Sequence, residues 1–302
     1  MRKALVALIL LACACSSPSS QEATSRTESP VPPTPTPAPT PDQGVLQIDR
    51  AMEHVRALGV EIGNRQAGEE GDRSSARYIA REIEKLGWRA EEQEFALPQG
   101  GESSNIIGRP PGFDEGAPYL IVGGHRDSLR GPGVNDNATG TALSLEIARA
   151  VDARPAALPV MVIAFGAEER QPASGRPHHI GSAHFVSQMS EEARRNLVSV
   201  VNIDMVGRGD TIFCSHMSIG PTEGTERCVR LANELGIAAR ERVTPDWSDN
   251  GPFLKQEMNA AWLWTGDDDC CIHSPRDTID RVRPADVERS GRLALAILRS
   301  YS

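Results

Sequence analysis

The sequence predicts an α/β fold: a three-layer α/β/α domain with a mixed, mostly parallel central sheet. Three observations predict it. Four continuous apolar runs, "APYLIVGGH", "LPVMVIAFG", "LVSVVNIDMVG" and "NAAWLWTG", read as strands covered on both faces. Segments with apolar residues at helical spacing lie between them, the alternation that builds layered α/β domains. Polar residues that resist burial gather just past the ends of those runs.

The first residues precede the fold. Arg2 and Lys3 followed by "ALVALILLA" form a basic start and an apolar run too short to span a bilayer as a mature helix. The run ends in "LLAC" and resembles a bacterial lipoprotein signal over residues 1–13, with Cys13 as the lipidated residue and Cys15 as the second choice. An ordinary signal peptide cleaved near Ala14 is the alternative. Residues 14–44 are rich in Pro, Ser and Thr, have almost nothing to bury, and read as a disordered linker. Together these segments imply an exported protein whose only attachment to a membrane is a lipid anchor, facing the periplasm or the cell exterior.

Residues 45–302 are long enough for one domain with a sizeable core. "VLQIDRAMEHVRALG" predicts a helix ending at Gly59, and "EGDRSSARYIAREIEKLGW" a second, capped by Asp72 and stopped by Gly87. In the second, Ala76, Ile79, Ala80, Ile83 and Leu86 form the apolar stripe. His54 in the first helix reads as a surface or packing histidine. "RAEEQEFAL" alternates like an edge strand, and "SSNIIGRP" is a further short strand. After the first buried run comes the helix "GTALSLEIARAV". The second is followed, after a long loop, by "EEARRN" leading into the third. "RCVRLANELG" is a helix, and "RPADVERSGRLALAILRSY" closes the chain as another.

Charge and cysteines narrow the function. A net charge of −9 argues against nucleic acid as a partner. An exported location permits disulfides. Four cysteines lie in the domain, and they allow three pairings. Adjacency disfavours Cys270 with Cys271, and Cys214–Cys228 is the favoured pair.

The residues past the strand ends carry the chemistry. His125 and Asp127 follow "YLIVGG", Glu168 and Glu169 follow "VMVIAFGA", and Asp204 follows "VSVVNI". Ligands of open α/β sheets bind outside the carboxyl ends of strands, so these ends point to one crevice. "GVNDNATGTAL" adds Asp136 and Asn137 in a glycine-bounded loop, and "CCIHSPRDTID" adds His273 with Asp277 behind it. Imidazole and carboxylate without a CxxC pair suit zinc and similar ions. Two metals sharing a carboxylate would use five of these groups and leave one carboxylate for proton transfer. In that reading Glu169 is a ligand and Glu168 takes the proton. Both reach one site because the strand has ended, with Gly166 making the turn.

"GGHRDS", "GVNDNATG", "FGAEER", "NIDMVG" and "HSPRDTID" occur in the order and with roughly the spacing of the co-catalytic di-zinc aminopeptidases, metallopeptidase family twenty-eight, of the bacterial leucyl-aminopeptidase type. "GNRQAGEEGDRSSARYIAREIEKLGW" resembles the opening of that family, so the resemblance covers nearly the whole domain. It implies a zinc exopeptidase with two zinc ions per chain that removes the first residue from peptides with a free N-terminus. His125 and Asp204 would hold one zinc, Glu169 and His273 the other, and Asp136 would bridge them. Glu168 would be the general base for a water bridging the ions. Asp127 would orient the His125 ring from behind. A cis peptide between Asp136 and Asn137 is expected on the same ground.

Each of these residues alone has a blander reading, as a loop histidine, an Asx turn or a solvated pair; the five motifs in register remove it. His178 and His179 read as an exposed loop, which is longer than the usual link to the Gly-Ser pair, here Gly181-Ser182. Asp267 to Asp269 read as a solvated acidic loop, with attraction of cationic substrate ends as the alternative. Ile272 stands where many relatives carry an aromatic. "DWSDNGPF" makes Asp249 a candidate substrate contact. Two other functions compete: a single-zinc, glutaminyl-cyclase-like aminoacyltransferase, and a silent binding lipoprotein. The first would not need five ligands, and the second has no use for Glu168.

Overall fold

The computed structural model describes residues 44–169, 179–266 and 271–302. The signal segment with Cys13 and Cys15, nearly all of the Pro/Ser/Thr-rich stretch, His178, Asp267 to Asp269 and Cys270 lie outside the described residues. The described part belongs to a single compact unit, Thr40–Ser302. Among the described residues no helix is long and apolar enough to cross a membrane.

The strands are β1 (Arg89–Ala96), β2 (Glu102–Arg109), β3 (Tyr119–His125), β4 (Val160–Phe165), β5 (Leu197–Ile203), β6 (Ile212–His216), β7 (Ala239–Val243) and β8 (Ala260–Thr265). The helices are α1 (Ile48–Arg56), α2 (Glu70–Lys85), α3 (Thr139–Ala153), α4 (Ile180–Gln188), α5 (Glu191–Asn196), α6 (Glu223–Glu234), α7 (Asn250–Leu254) and α8 (Pro284–Arg299). One sheet runs in the order β1-β2-β4-β3-β5-β8-β6-β7. Its centre, β4-β3-β5-β8, is parallel, and antiparallel pairs flank it on both sides.

The apolar runs form the central strands because both of their faces are covered. Leu120 and Val122 of β3 join a core with residues of α1, α2, α3, α6 and α8, while Tyr119 and Ile121 join a second core with α4 and α7. Side chains alternate along a strand, so each run feeds both layers in turn.

Three local readings change. α1 does not end at Gly59: the chain continues through a wider turn, Ala57–Ile62, to Gly63, whose φ of 76° stops it. Gly59 is needed for closeness, since a Cβ there would lie 2.8 Å from Val134. Asp72 is not the cap of α2, which starts one turn earlier; its carboxylate pairs with buried Arg126 and accepts from the Ser103 hydroxyl at 2.8 Å. β6, β7 and α7 carry no sequence signal strong enough to name them: each has five residues, and β7 is exposed along almost its whole length.

Candidate metal centre

Three neighbouring parallel strands end side by side and deliver the chemistry. His125 is the last residue of β3. β4 ends at Phe165, and Glu168 and Glu169 follow its turn. β5 ends at Ile203, directly before Asp204. The turn after β4 is made by Ala167, with φ 51°, rather than by Gly166. Gly166 is required because a Cβ there would lie 2.4 Å from the Ser104 carbonyl oxygen. Met205 and His273 are also left-handed, with φ 51° and 54°. Non-glycine residues in this region persist only where their surroundings hold them, and they collect at functional sites.

Asp136 stands at the middle of the site. Its Oδ1 lies 3.1 Å from His125 Nε2 and its Oδ2 lies 3.1 Å from His273 Nε2. Asp204 Oδ1 completes the first group, 3.3 Å from His125 Nε2. Glu169 Oε2 completes the second, 3.0 Å from His273 Nε2. The five residues expected to hold metal therefore fall into two groups that share one carboxylate. The expected cis peptide between Asp136 and Asn137 is present.

A layer of hydrogen bonds fixes these groups. Asp127 serves both the ring of His125 and the glutamate turn: its Oδ1 lies 3.6 Å from His125 Nδ1, and its two oxygens accept from the Glu168 and Glu169 backbone N–H groups at 3.0 and 3.2 Å. The same Nδ1 lies 3.2 Å from the Asp127 carbonyl, and both contacts direct Nε2 at the carboxylates. Ser248 donates to Asp204 Oδ2 at 2.8 Å. Asp277 accepts from the backbone of Asn135 and Asp136 at 2.8 and 3.0 Å. The Asn137 amide donates to the Ile203 carbonyl at 2.8 Å, tying the loop to the end of β5. Buried Arg65 braces the loop behind the site by donating to the carbonyls of Arg126, Pro132 and Gly133.

The electrostatics call for cations. Asp136, Glu168, Glu169 and Asp204 line one cavity of about 340 Å³. Burial, reinforced by neighbouring carboxylates, pushes Glu168 and Glu169 well above the usual carboxylate range. Burial alone would lower the His125 imidazole, but Asp204 and Glu168 raise it well above its ordinary value. Hydrogen bonds to Asp136 and Glu169 push His273 up to about 11. The carboxylates thus favour positive charge among them. The donors fit divalent metal in a further respect. Glu169 Oε1 is buried with no hydrogen-bond partner, and one donor atom each of His125, Asp136 and Glu169 lie within 4.8 Å of one another. Carboxylate and imidazole donors without thiolate suit zinc.

Two expectations change here. His179 is not an exposed loop residue. It is buried, with Nδ1 2.9 Å from Glu168 Oε1 and Nε2 3.2 Å from the Asp246 carbonyl. Its backbone N–H and those of Ile180 and Gly181 bond back to Glu168, Ala167 and Gly166, which ties the start of α4 to the glutamate turn. Asp249 does not line the cavity; it is buried, and burial, with the charge of Glu168, pushes it up to about 7. Within "DWSDNGPF" it is Ser248 that reaches Asp204 and Trp247 that lines the cavity. His54 packs as expected, with Nδ1 2.6 Å from the Tyr78 hydroxyl. Cys214 and Cys228 form a disulfide. Cys271 is also disulfide-bonded, and the reading that concerned Cys270 falls outside the described residues.

Known proteins agree with this architecture. The chain is 29% identical over 206 residues to aminopeptidase YwaD of Bacillus subtilis, covering 64% of this chain and 44% of that protein. It is 27% identical over 260 residues to leupeptin-inactivating enzyme 1 of Streptomyces exfoliatus, covering 78% of this chain and 57% of that one. The chain thus spans about half the length of these curated relatives. Among solved structures, a zinc aminopeptidase from Bacillus subtilis superposes with a TM-score of 0.76 at 18% identity, over 84% of this chain and 95% of that one. A glutaminyl cyclase from Tannerella forsythia superposes with a TM-score of 0.71 at 20% identity, over 85% of this chain and all of the other. These two likenesses concern the fold. The family model that describes Peptidase family M28 matches residues 105–298, more than half of the sequence, and the chain belongs to that family.

Proposed function

We propose that this chain is a zinc-dependent aminopeptidase with two zinc ions per chain, acting on peptides with a free N-terminus. The observation that carries the reading is Asp136, one carboxylate whose two oxygens face His125 and His273 separately. His125 and Asp204 would hold one ion, and His273 and Glu169 the other. When bound, the ions supply Lewis-acid polarisation of the scissile carbonyl and lower the pKa of water. The named aminopeptidase relatives support the same class of reaction.

Glu168 is the residue left over for proton transfer. It lines the cavity beside all the proposed ligands that do so, yet sits in neither group. Asp127 fixes its backbone, and His179 lies against its carboxylate. As general base it takes the proton of the attacking water and then delivers it to the leaving amine nitrogen. The cluster of carboxylates receives the substrate's α-ammonium, so only the first residue of a chain fits. Met205, Trp247 and Trp264 give the cavity an apolar side. Five intact ligands disfavour the single-zinc transferase, and Glu168 disfavours a silent binder. The lipoprotein-type start and the Pro/Ser/Thr-rich segment support export and tethering to a membrane surface.

The test uses the chain from Gln43 onward. Release of the first residue is measured on short peptides with free or acetylated amino ends, before and after chelation and zinc return. Cleavage confined to free amino ends, lost on chelation and restored by zinc, is the expected result. No cleavage with zinc bound, together with cyclisation of N-terminal glutamine, would overturn it in favour of the cyclase.

A further inference from the structure

The cavity has a second charged wall that the chemistry above does not use. Arg242, on β7, lines it opposite in sign to the carboxylates, together with Trp247 and Trp264. Its guanidinium lies 4.9 Å from the ring centre of Trp264 and 5.2 Å from that of Phe213. That shelf is rigid. Trp264 stacks on Trp262 at 4.8 Å and 14°, and its indole N–H donates to Ser215 at 2.8 Å. Stacking on aromatic faces leaves a guanidinium's edge, with its forked donors, free for a planar anion.

Among the described residues, no carboxylate of the chain lies within ion-pair distance of Arg242. Glu241, its neighbour, pairs with His216 at 3.0 Å, and Asp246 is engaged by Lys255. Arg242 is exposed, rests on aromatic rings at a ligand-sized cavity and has no acid beside it among the described residues, so its forked donors can meet an acid from outside.

The carboxylates follow the central strands β3, β4 and β5, whereas Arg242 comes from β7 at the sheet edge. One cavity of about 340 Å³, near the small end of ordinary ligand cavities, is therefore lined by groups that attract an ammonium and by one that attracts a carboxylate. We infer that Arg242 receives a carboxylate of the substrate, making the preferred substrate a short peptide with a negative charge close behind its first residue. The carboxylate has two sources: the C-terminus of a dipeptide, or an acidic side chain at the second position of a longer peptide. This inference rests on the aminopeptidase reading for the direction of the substrate, with its amine toward the ligand carboxylates.

The test separates the two readings. Zinc-loaded protein is assayed with Leu-Leu, Leu-Leu-amide, Leu-Glu-amide and Leu-Gln-amide, in wild type, Arg242→Met and Arg242→Lys. A charged hydrogen bond predicts roughly a tenfold or greater advantage in kcat/KM for a carboxylate-bearing substrate, carried by KM. Arg242→Met should erase that advantage while hydrolysis of Leu-Leu-amide stays within about twofold; Arg242→Lys should keep only part of it. An advantage of Leu-Leu over its amide assigns the C-terminus, and one of Leu-Glu-amide over Leu-Gln-amide assigns the side chain. Equal rates for all four, or an advantage that survives Arg242→Met, would overturn the inference while leaving the aminopeptidase intact. Binding gives a readout independent of turnover. Leu-Leu and Leu-Leu-amide are titrated into zinc-loaded Glu168→Gln protein by tryptophan fluorescence, with and without Arg242→Met. Tighter binding of Leu-Leu that depends on Arg242 upholds the inference even if no substrate is cleaved. Equal binding of the two refutes it.

Discussion

The two imidazoles of the site are held in different ways. His125 ends a central strand, its side chain is 1% exposed, and its ring is fixed by the Asp127 carbonyl behind it. His273 comes from the loop after β8, is left-handed, and its side chain is 44% exposed. One group of donors is anchored by the sheet; the other is completed by His273 from outside it. The lesson is that the donors around His125 are preorganised, whereas those around His273 depend on how well that residue is held. Asp136 joins the halves, so its behaviour separates a shared centre from two independent ones.

The largest effect is expected at that joint. Asp136→Ala removes a donor from both groups, so metal content and turnover should fall together. Losing metal Lewis acidity of several kcal/mol corresponds to about 10³-fold or more in kcat. Metal analysis beside steady-state assays checks it, and an active Asp136→Ala protein with full metal would break the joint picture. Next comes Glu168→Gln, which should lower kcat by roughly 10²–10⁴-fold with metal content unchanged, as loss of a general base requires. Unchanged turnover would remove Glu168 from the mechanism. Smaller effects should come from the supports: Ser248→Ala and Asp127→Asn are expected to weaken metal binding by about 10–100-fold, read by competition with a chelator.

The smallest effect concerns stability. Burial raises Asp249 from its ordinary value to about 7, so its charging is disfavoured in the folded state. A raised folded pKa stabilises relative to higher pH: the contribution is complete below the unfolded pKa and is lost as pH climbs through about 7. Asp249→Asn cannot charge. Its Tm should exceed that of the wild type by a few degrees more at pH 8 than at pH 5, since about 1 kcal/mol shifts Tm by roughly 2–4 °C in a chain of this size. A Tm difference independent of pH would show that Asp249 is not the titrating group.

The same contrast governs what the sequence revealed. The buried central strands and the residues at their ends were legible because covered strands must be continuously apolar and polar residues beyond them need a reason to be there. The edge pair β6 and β7 was not, because "ARERV" is exposed and charged and has no face to bury. Arg242 belongs to that illegible edge, although Trp264 beneath it lies in the legible run of β8. His179 was misread because neighbouring residues in a long polar loop look solvated; only the backbone bonds of His179 to Glu168 and of Ile180 to Ala167 bring it into the site. Ser248 stood beside Asp249 in one motif, and only three-dimensional structure shows that the hydroxyl meets Asp204 while Asp249 is buried and does not line the cavity.

The most direct measurement is a count of bound zinc with its positions, by anomalous diffraction from zinc-loaded crystals of wild type and His273→Ala. The account predicts two ions in wild type with Asp136 between them, and in the variant one ion, retained by His125, Asp136 and Asp204. A single ion in wild type, or two ions with no shared carboxylate, would contradict it.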